Sequence, residues 1–302
     1  MRFLSIATVS LLLGTAALAQ VPPDIAAGTR AAGQSMNPAS GAPYAALFPP
    51  SAWEGVTIAR DIAYGPDPLH KLDIYTTPGG SRRPVLLFVH GGAFVAGDKH
   101  GAFYPDNVTL WAAKQGMVGV GINYRLAPQH PWPAGAQDLA AAIAWTRANI
   151  GRYGGDPDRI VLFGHSAGAN HVADYAGNPV AQGAELTAVR GAILLSPNYI
   201  APGPHAYYGS DGDLNSTAGA VRRLAASRVP LFLGDAEFDP DPMLETAREL
   251  REGLCQVPAR CPRYVNLKDH NHFTEGMALG TDDRSLSGPL LEWMAGLFGE
   301  RG

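Results

Sequence analysis

The stretch "IVLFGHSAGAN", Ile160 to Asn170, sets a serine between two glycines directly after a run of apolar residues. The run is short, branched and aromatic, as a strand covered on both faces should be. "AGANHVADYA", which follows the serine, can begin a helix. His165, Ser166 and Ala167 then make the sharp turn between the two. Gly164 and Gly168 have no Cβ, so strand and helix can approach closely around a strained turn. That geometry lifts the Ser166 hydroxyl above the sheet at a helix N-terminus, where a G-x-S-x-G serine is displayed as a nucleophile.

Working outward, the same kind of apolar run recurs. "VTIARDIAY" and "KLDIYTT" read as an antiparallel opening pair turned by "PDPLH". "PVLLFVH" (84–90), "MVGVGINY" (117–124), "AILLS" (192–196), "VPLFLGD" (229–235) and "RYVNLKD" (263–269) complete the set. Between them lie helical segments at 134–154, 242–254 and 284–298. In the first, Leu139, Ile143, Thr146 and Ile150 recur at three- and four-residue spacing. Strands separated by helices predict an α/β fold, a mostly parallel sheet with helices on both faces. In such sheets the ligand site lies beyond the carboxyl ends of the strands.

Composition sets the outer limits. The chain has 302 residues, is 46% hydrophobic and 17% charged, and carries a net charge of −4. With no cluster of Lys and Arg, nucleic acid is not an expected partner. "MRFLSIATVSLLLGTAALAQ" has one Arg, an apolar run and a small-residue Ala-Leu-Ala pattern, so residues 1–19 read as a secretory signal peptide. Export to periplasm or medium follows, and no segment of the mature chain reads as a membrane span. Residues 20–52, rich in Ala, Pro, Gly and Ser, are expected to form an extended leader. Residues 53–302 are left as the catalytic domain. Cys255 and Cys261 lie close in sequence around a proline, which suits a disulfide in an oxidising compartment.

A serine attacks an acyl carbon only when a base takes its proton and donors stabilise the oxyanion. "VHGGAF" (89–94) follows another buried strand and places small residues where backbone must face a ligand. By the template of such loops, the N–H groups of Gly92 and Ala93 join that of Ala167 in an oxyanion hole. The base should follow a late strand, where "KDHNHFTE" offers His270 and His272. The acid should follow an earlier one, where "LGDAEFDPDP" offers Asp235, Glu237, Asp239 and Asp241. The chain order serine, acid, histidine is the order this elbow requires.

With "HGGAF", "NYRLAP", "GGDPDRIVLFGHSAGA", "EFDP" and "HNHF" in succession from residue 56 to the C-terminus, the chain resembles the α/β-hydrolases. Within them it is similar to carboxylesterases of the hormone-sensitive-lipase and kynurenine-formamidase-like branches. The resemblance implies a mostly parallel eight-stranded sheet with a small cap, and hydrolysis of short-chain or aromatic carboxylic esters through an acyl-enzyme. It matches Ser166 to the nucleophile, Asp239 to the acid and His272, directly before Phe273, to the base. No metal or organic cofactor is implied, and the partner is a small-molecule ester. One position departs from the pattern: Ala93 stands where many members have a third glycine. The stretch 198–220, with Tyr199, Tyr207 and Tyr208, is expected to cap the cleft, its tyrosines lining a pocket or packing the cap onto the body. An arylformamidase-type amide hydrolase would use the same triad, though an exported chain fits cytosolic metabolism poorly. A non-catalytic binding protein on this fold would be expected to lack a triad member, and here each has a candidate.

Overall fold

The computed structural model describes residues 21–178, 184–199 and 205–299. The signal segment 1–19 and residues 200–204 of the expected cap lie outside the described residues. Eight strands form one sheet: β1 (Thr57–Ala63), β2 (Lys71–Thr76), β3 (Arg83–Val89), β4 (Val118–Ile122), β5 (Gly155–His165), β6 (Val189–Leu195), β7 (Leu231–Phe238) and β8 (Arg263–Asn271). Their spatial order is β1-β2-β4-β3-β5-β6-β7-β8. β2 runs antiparallel to both β1 and β4, and every later pairing is parallel. The mostly parallel sheet with an antiparallel opening is therefore present.

The alternation of side chains along β3 shows why the strands are apolar throughout. Val85, Leu87 and Val89 point into one core layer, and Leu86 and Phe88 into the other. On the first face, residues of α4 (Ala134–Asn149), α5 (Ala167–Gly177), α6 (Thr217–Ala226) and α7 (Asp241–Cys255) enter the core. The second face takes Val108 and Trp111 of α3 (Asp106–Lys114) and Leu290 and Met294 of α9 (Ser287–Phe298). Cys255, the last residue of α7, is disulfide-bonded to Cys261.

Two expectations need correction. The leader is not extended: α1 (Pro23–Ala32) and α2 (Ala42–Leu47) are helices, joined and followed by short 3₁₀ turns. Its alanines are strong helix formers, and a proline at the first position of α1 suits a helix start. Burial of Ile25, Ala26 and Tyr44 then fixes these helices to the body, where the Tyr44 hydroxyl donates to Asp283 at 2.7 Å. The second concerns 198–220. Among its described residues only Asn198 borders the cleft. So the described part of the segment does not cap the cleft, and of the two roles open to its tyrosines packing onto the body is the one observed. Tyr199, Tyr207 and Tyr208 are buried, with Tyr207 stacked on Phe94 and the Tyr208 hydroxyl donating to Asp174 at 2.7 Å. The Tyr199 hydroxyl donates to the same carboxylate, so these two phenols find partners in the body rather than in a pocket.

Candidate active site

Ser166 sits between β5 and α5 with φ 54° and ψ −126°, a conformation that non-glycine residues avoid. Its neighbours make that turn possible. A Cβ on Gly164 would lie 2.2 Å from the Gly168 carbonyl oxygen, and one on Gly168 would lie 2.1 Å from that of Val89. Strand and helix therefore cross at a distance that only glycine allows. Ser166 is 8% exposed, and what it exposes borders a cavity of about 760 Å³ that also reaches His272.

His272 follows β8, and its Nδ1 lies 2.9 Å from Oδ1 of Asp239, which follows β7. The other carboxylate oxygen accepts from the Ser196 hydroxyl and from the Ala236 N–H at 2.9 Å. A carboxylate so engaged fixes the ring and leaves Nε2 as its second working atom. The residues that the resemblance matches to nucleophile, base and acid thus lie close together, Ser166 and His272 on one cavity and His272 on Asp239. The other candidates are placed elsewhere. Asp235 accepts from Tyr264 and Asn266, with burial pushing its carboxyl up. Glu237 accepts from the Asp269 N–H and Asp241 from Gln34. His270 turns to Thr274, Ser285 and Asp283.

The loop after β3 brings Gly92 and Ala93 to the same cavity as Ala167. No hydrogen bond among the described residues engages these three N–H groups. The loop is tightly wound, with Gly92, Ala93 and Phe94 all at positive φ, and a Cβ on Gly92 would lie 1.9 Å from the Ala96 carbonyl oxygen. His90 braces it: its Nδ1–H donates to the Gly91 carbonyl at 2.6 Å while the ring stacks on Tyr124. Burial pushes this imidazole toward its neutral form, which suits a brace.

Several residues escaped the sequence reading. Ser196 directly follows β6, the position that should draw attention in such a sheet, but it belongs to no motif. His165, Tyr104 and Glu275 (in α8, Thr274–Met277) form a buried cluster behind the base. The far wall of the cavity comes from the N-terminal segment, with Met36, Pro38, Ala42 and Ala45 facing it. Among the described residues, His165, His272 and Glu275 have possible ligand atoms within 4.8 Å of one another. His165 accepts from the Tyr104 hydroxyl at Nδ1 and gives its Nε2–H to the His272 carbonyl, so it has no lone pair left for a metal ion.

The BD-FAE family model matches residues 72–185, which contain the glycine loop and the Ser166 turn but neither Asp239 nor His272. Esterase LipQ of Mycobacterium tuberculosis is 30% identical over 268 residues, 80% of this chain and 63% of the relative. Esterase LipC of the same organism is 36% identical over 166 residues, 54% of this chain and 36% of the relative. The chain thus spans less than two thirds of the length of either. A hyperthermophilic esterase from the archaeon Pyrobaculum calidifontis shares the fold, with a TM-score of 0.66 at 20% identity, over 93% of this chain and 99% of that one.

Proposed function

We propose, from the premise that the chain belongs to the α/β-hydrolase superfamily, that it is a serine carboxylesterase acting on short-chain or aromatic esters. The observation that carries this reading is the meeting of a displayed serine and an Asp239–His272 pair in one cavity. Ser166 attacks the ester carbonyl while His272 takes its proton, and Asp239 holds the imidazole in the productive tautomer and stabilises its charge. The N–H groups of Gly92, Ala93 and Ala167 receive the oxyanion. His272 then protonates the leaving alcohol and activates the water that releases the acid.

The cavity supports the substrate class. Its walls include Val95, Phe103, Met243, Phe273 and Met277, so apolar acyl or aryl groups lose water on entering and gain contact. Export to periplasm or medium belongs to the same reading and rests on the sequence of residues 1–19. Among the described residues no helix is long and apolar enough to cross a membrane.

Initial rates on p-nitrophenyl esters from acetate to decanoate, beside N-formyl amides, test the proposal. We expect ester turnover by the wild type and a loss of about 10⁵-fold or more in kcat in Ser166→Ala, because triad members act as a unit. Wild-type rates in Ser166→Ala would overturn the assignment. Formamide turnover without ester turnover would move the protein to the amide hydrolases.

A further inference from the structure

The proposed mechanism leaves a buried group of titratable residues without a task. Glu275 and His165 are 0% and 3% exposed, and neither is a triad member. The Tyr104 hydroxyl lies 2.7 Å from His165 Nδ1. His165 Nε2 lies 2.9 Å from the backbone carbonyl of His272 and 3.1 Å from Glu275 Oε1. A carbonyl only accepts, so Nε2 carries the proton and Nδ1 is the acceptor for Tyr104. The residue that precedes the nucleophile in sequence thus grips the main chain of the base.

We propose that His165, Glu275 and Tyr104 form a clamp in which His165 positions His272 over Ser166 by holding its backbone carbonyl, while Glu275 and Tyr104 fix the His165 ring and its tautomer. The proposal rests on the Ser166–His272 hydrolase reading and names positioning residues for that site. His165 suits the task because it is joined to Ser166 through the chain and to His272 through a hydrogen bond. Its ring centroid is 4.7 Å from that of His272. A shift in either catalytic residue is therefore resisted at the other.

The clamp works without net charge. Glu275 Oε2 is buried with no hydrogen-bond partner among the described residues, a costly state for a carboxylate and a mild one for a neutral acid. The groups facing Glu275 agree. Asp239 and Asp235, at β7, repel a second negative charge, and the Ser196 hydroxyl, after β6, offsets them only weakly. Burial, with these acids, holds the Glu275 carboxyl well above its usual range. Burial and the neighbouring His272 hold His165 well below its own. Behind them, Tyr104 keeps its proton, for burial pushes its hydroxyl upward. A neutral acid beside the triad leaves Asp239 as the carboxylate in direct contact with His272 when the ring is protonated during catalysis.

Glu275→Leu, Glu275→Gln and Tyr104→Phe, each checked by thermal unfolding, test the clamp through kinetics and through the low-field proton resonance of the His272 Nδ1–H in ¹⁵N-histidine-labelled protein. We expect Glu275→Leu and Tyr104→Phe to lower kcat by about tenfold or more with little change in KM, and to broaden that resonance. Glu275→Gln, which puts a neutral amide in the space of the neutral acid, should keep kcat within about threefold of wild type and leave the acidic limb of the pH profile in place. Wild-type kcat and an unchanged resonance in Tyr104→Phe would overturn the clamp, as would the same result in a folded Glu275→Leu. A shift of the acidic limb to lower pH by about one unit in Glu275→Gln would mean that a charged Glu275 had been raising the His272 pKa, and would overturn the neutral form. The resonance reads the clamp even if no ester is turned over, so failure of the hydrolase reading is distinguished from failure of the clamp.

Discussion

Asp239 meets three donors at once: the His272 ring, the Ser196 hydroxyl and the Ala236 N–H. A carboxylate held on both oxygens cannot rotate, and the His272 imidazole inherits that orientation. Ser196→Ala should therefore lower kcat by about tenfold, the worth of one charge-assisted hydrogen bond, with KM unchanged. Steady-state kinetics would check this, and a pure rise in KM would count against it. Ser166 was legible from its local strand–turn–helix, and Asp239 and His272 were legible as two among several strand-end candidates, singled out by the family resemblance. Ser196, His165 and Glu275 were not, because they matter only through contacts that the fold creates. His165 is a neighbour of His272 across more than a hundred residues of chain.

Among the elements, the glycine crossing around Ser166 was readable in advance because its constraint is local: Gly164 and Gly168 meet within a single strand–turn–helix. The N-terminal segment was misread for the opposite reason. Its alanines and prolines look like leader composition, and only long-range burial of Ile25 and Tyr44 makes it part of the fold. As folded, it supplies a wall of the cavity, and that role has a consequence for specificity. Ala45 is exposed on the segment and faces the cavity, so Ala45→Trp should narrow the cavity without touching the triad. We expect kcat/KM to fall about tenfold for naphthyl or decanoate esters and to change little for acetate. An equal loss across the series would show that the wall acts on the catalytic residues rather than on substrate size.

Over the whole molecule, one buried acid links stability to pH. Asp174 on α5 is fully buried, accepts hydrogen bonds from Tyr208 and Tyr199, and lies 3.7 Å from the Arg223 guanidinium. Burial pushes its carboxyl up to about 7, and neither the tyrosines nor Arg223 offset this fully. The folded chain then binds this proton more tightly than the unfolded chain does. Its contribution to stability is in place in acid, below the unfolded value, and is lost as pH rises toward 7. Urea unfolding of wild type beside Asp174→Asn should show the wild-type advantage shrinking by about 2–3 kcal/mol between pH 5 and pH 8. A constant difference would mean that Asp174 is ionised throughout, paired with Arg223.

The central claim is that Ser166 is the nucleophile, and covalent capture tests it most directly. Treatment with a fluorophosphonate should add one phosphonyl group per chain, on the peptide carrying Ser166, with activity lost in step with labelling. His272→Ala should label far more slowly, and Ser166→Ala not at all. Labelling at another residue, or full ester turnover by a chain that takes no label at Ser166, would contradict the account.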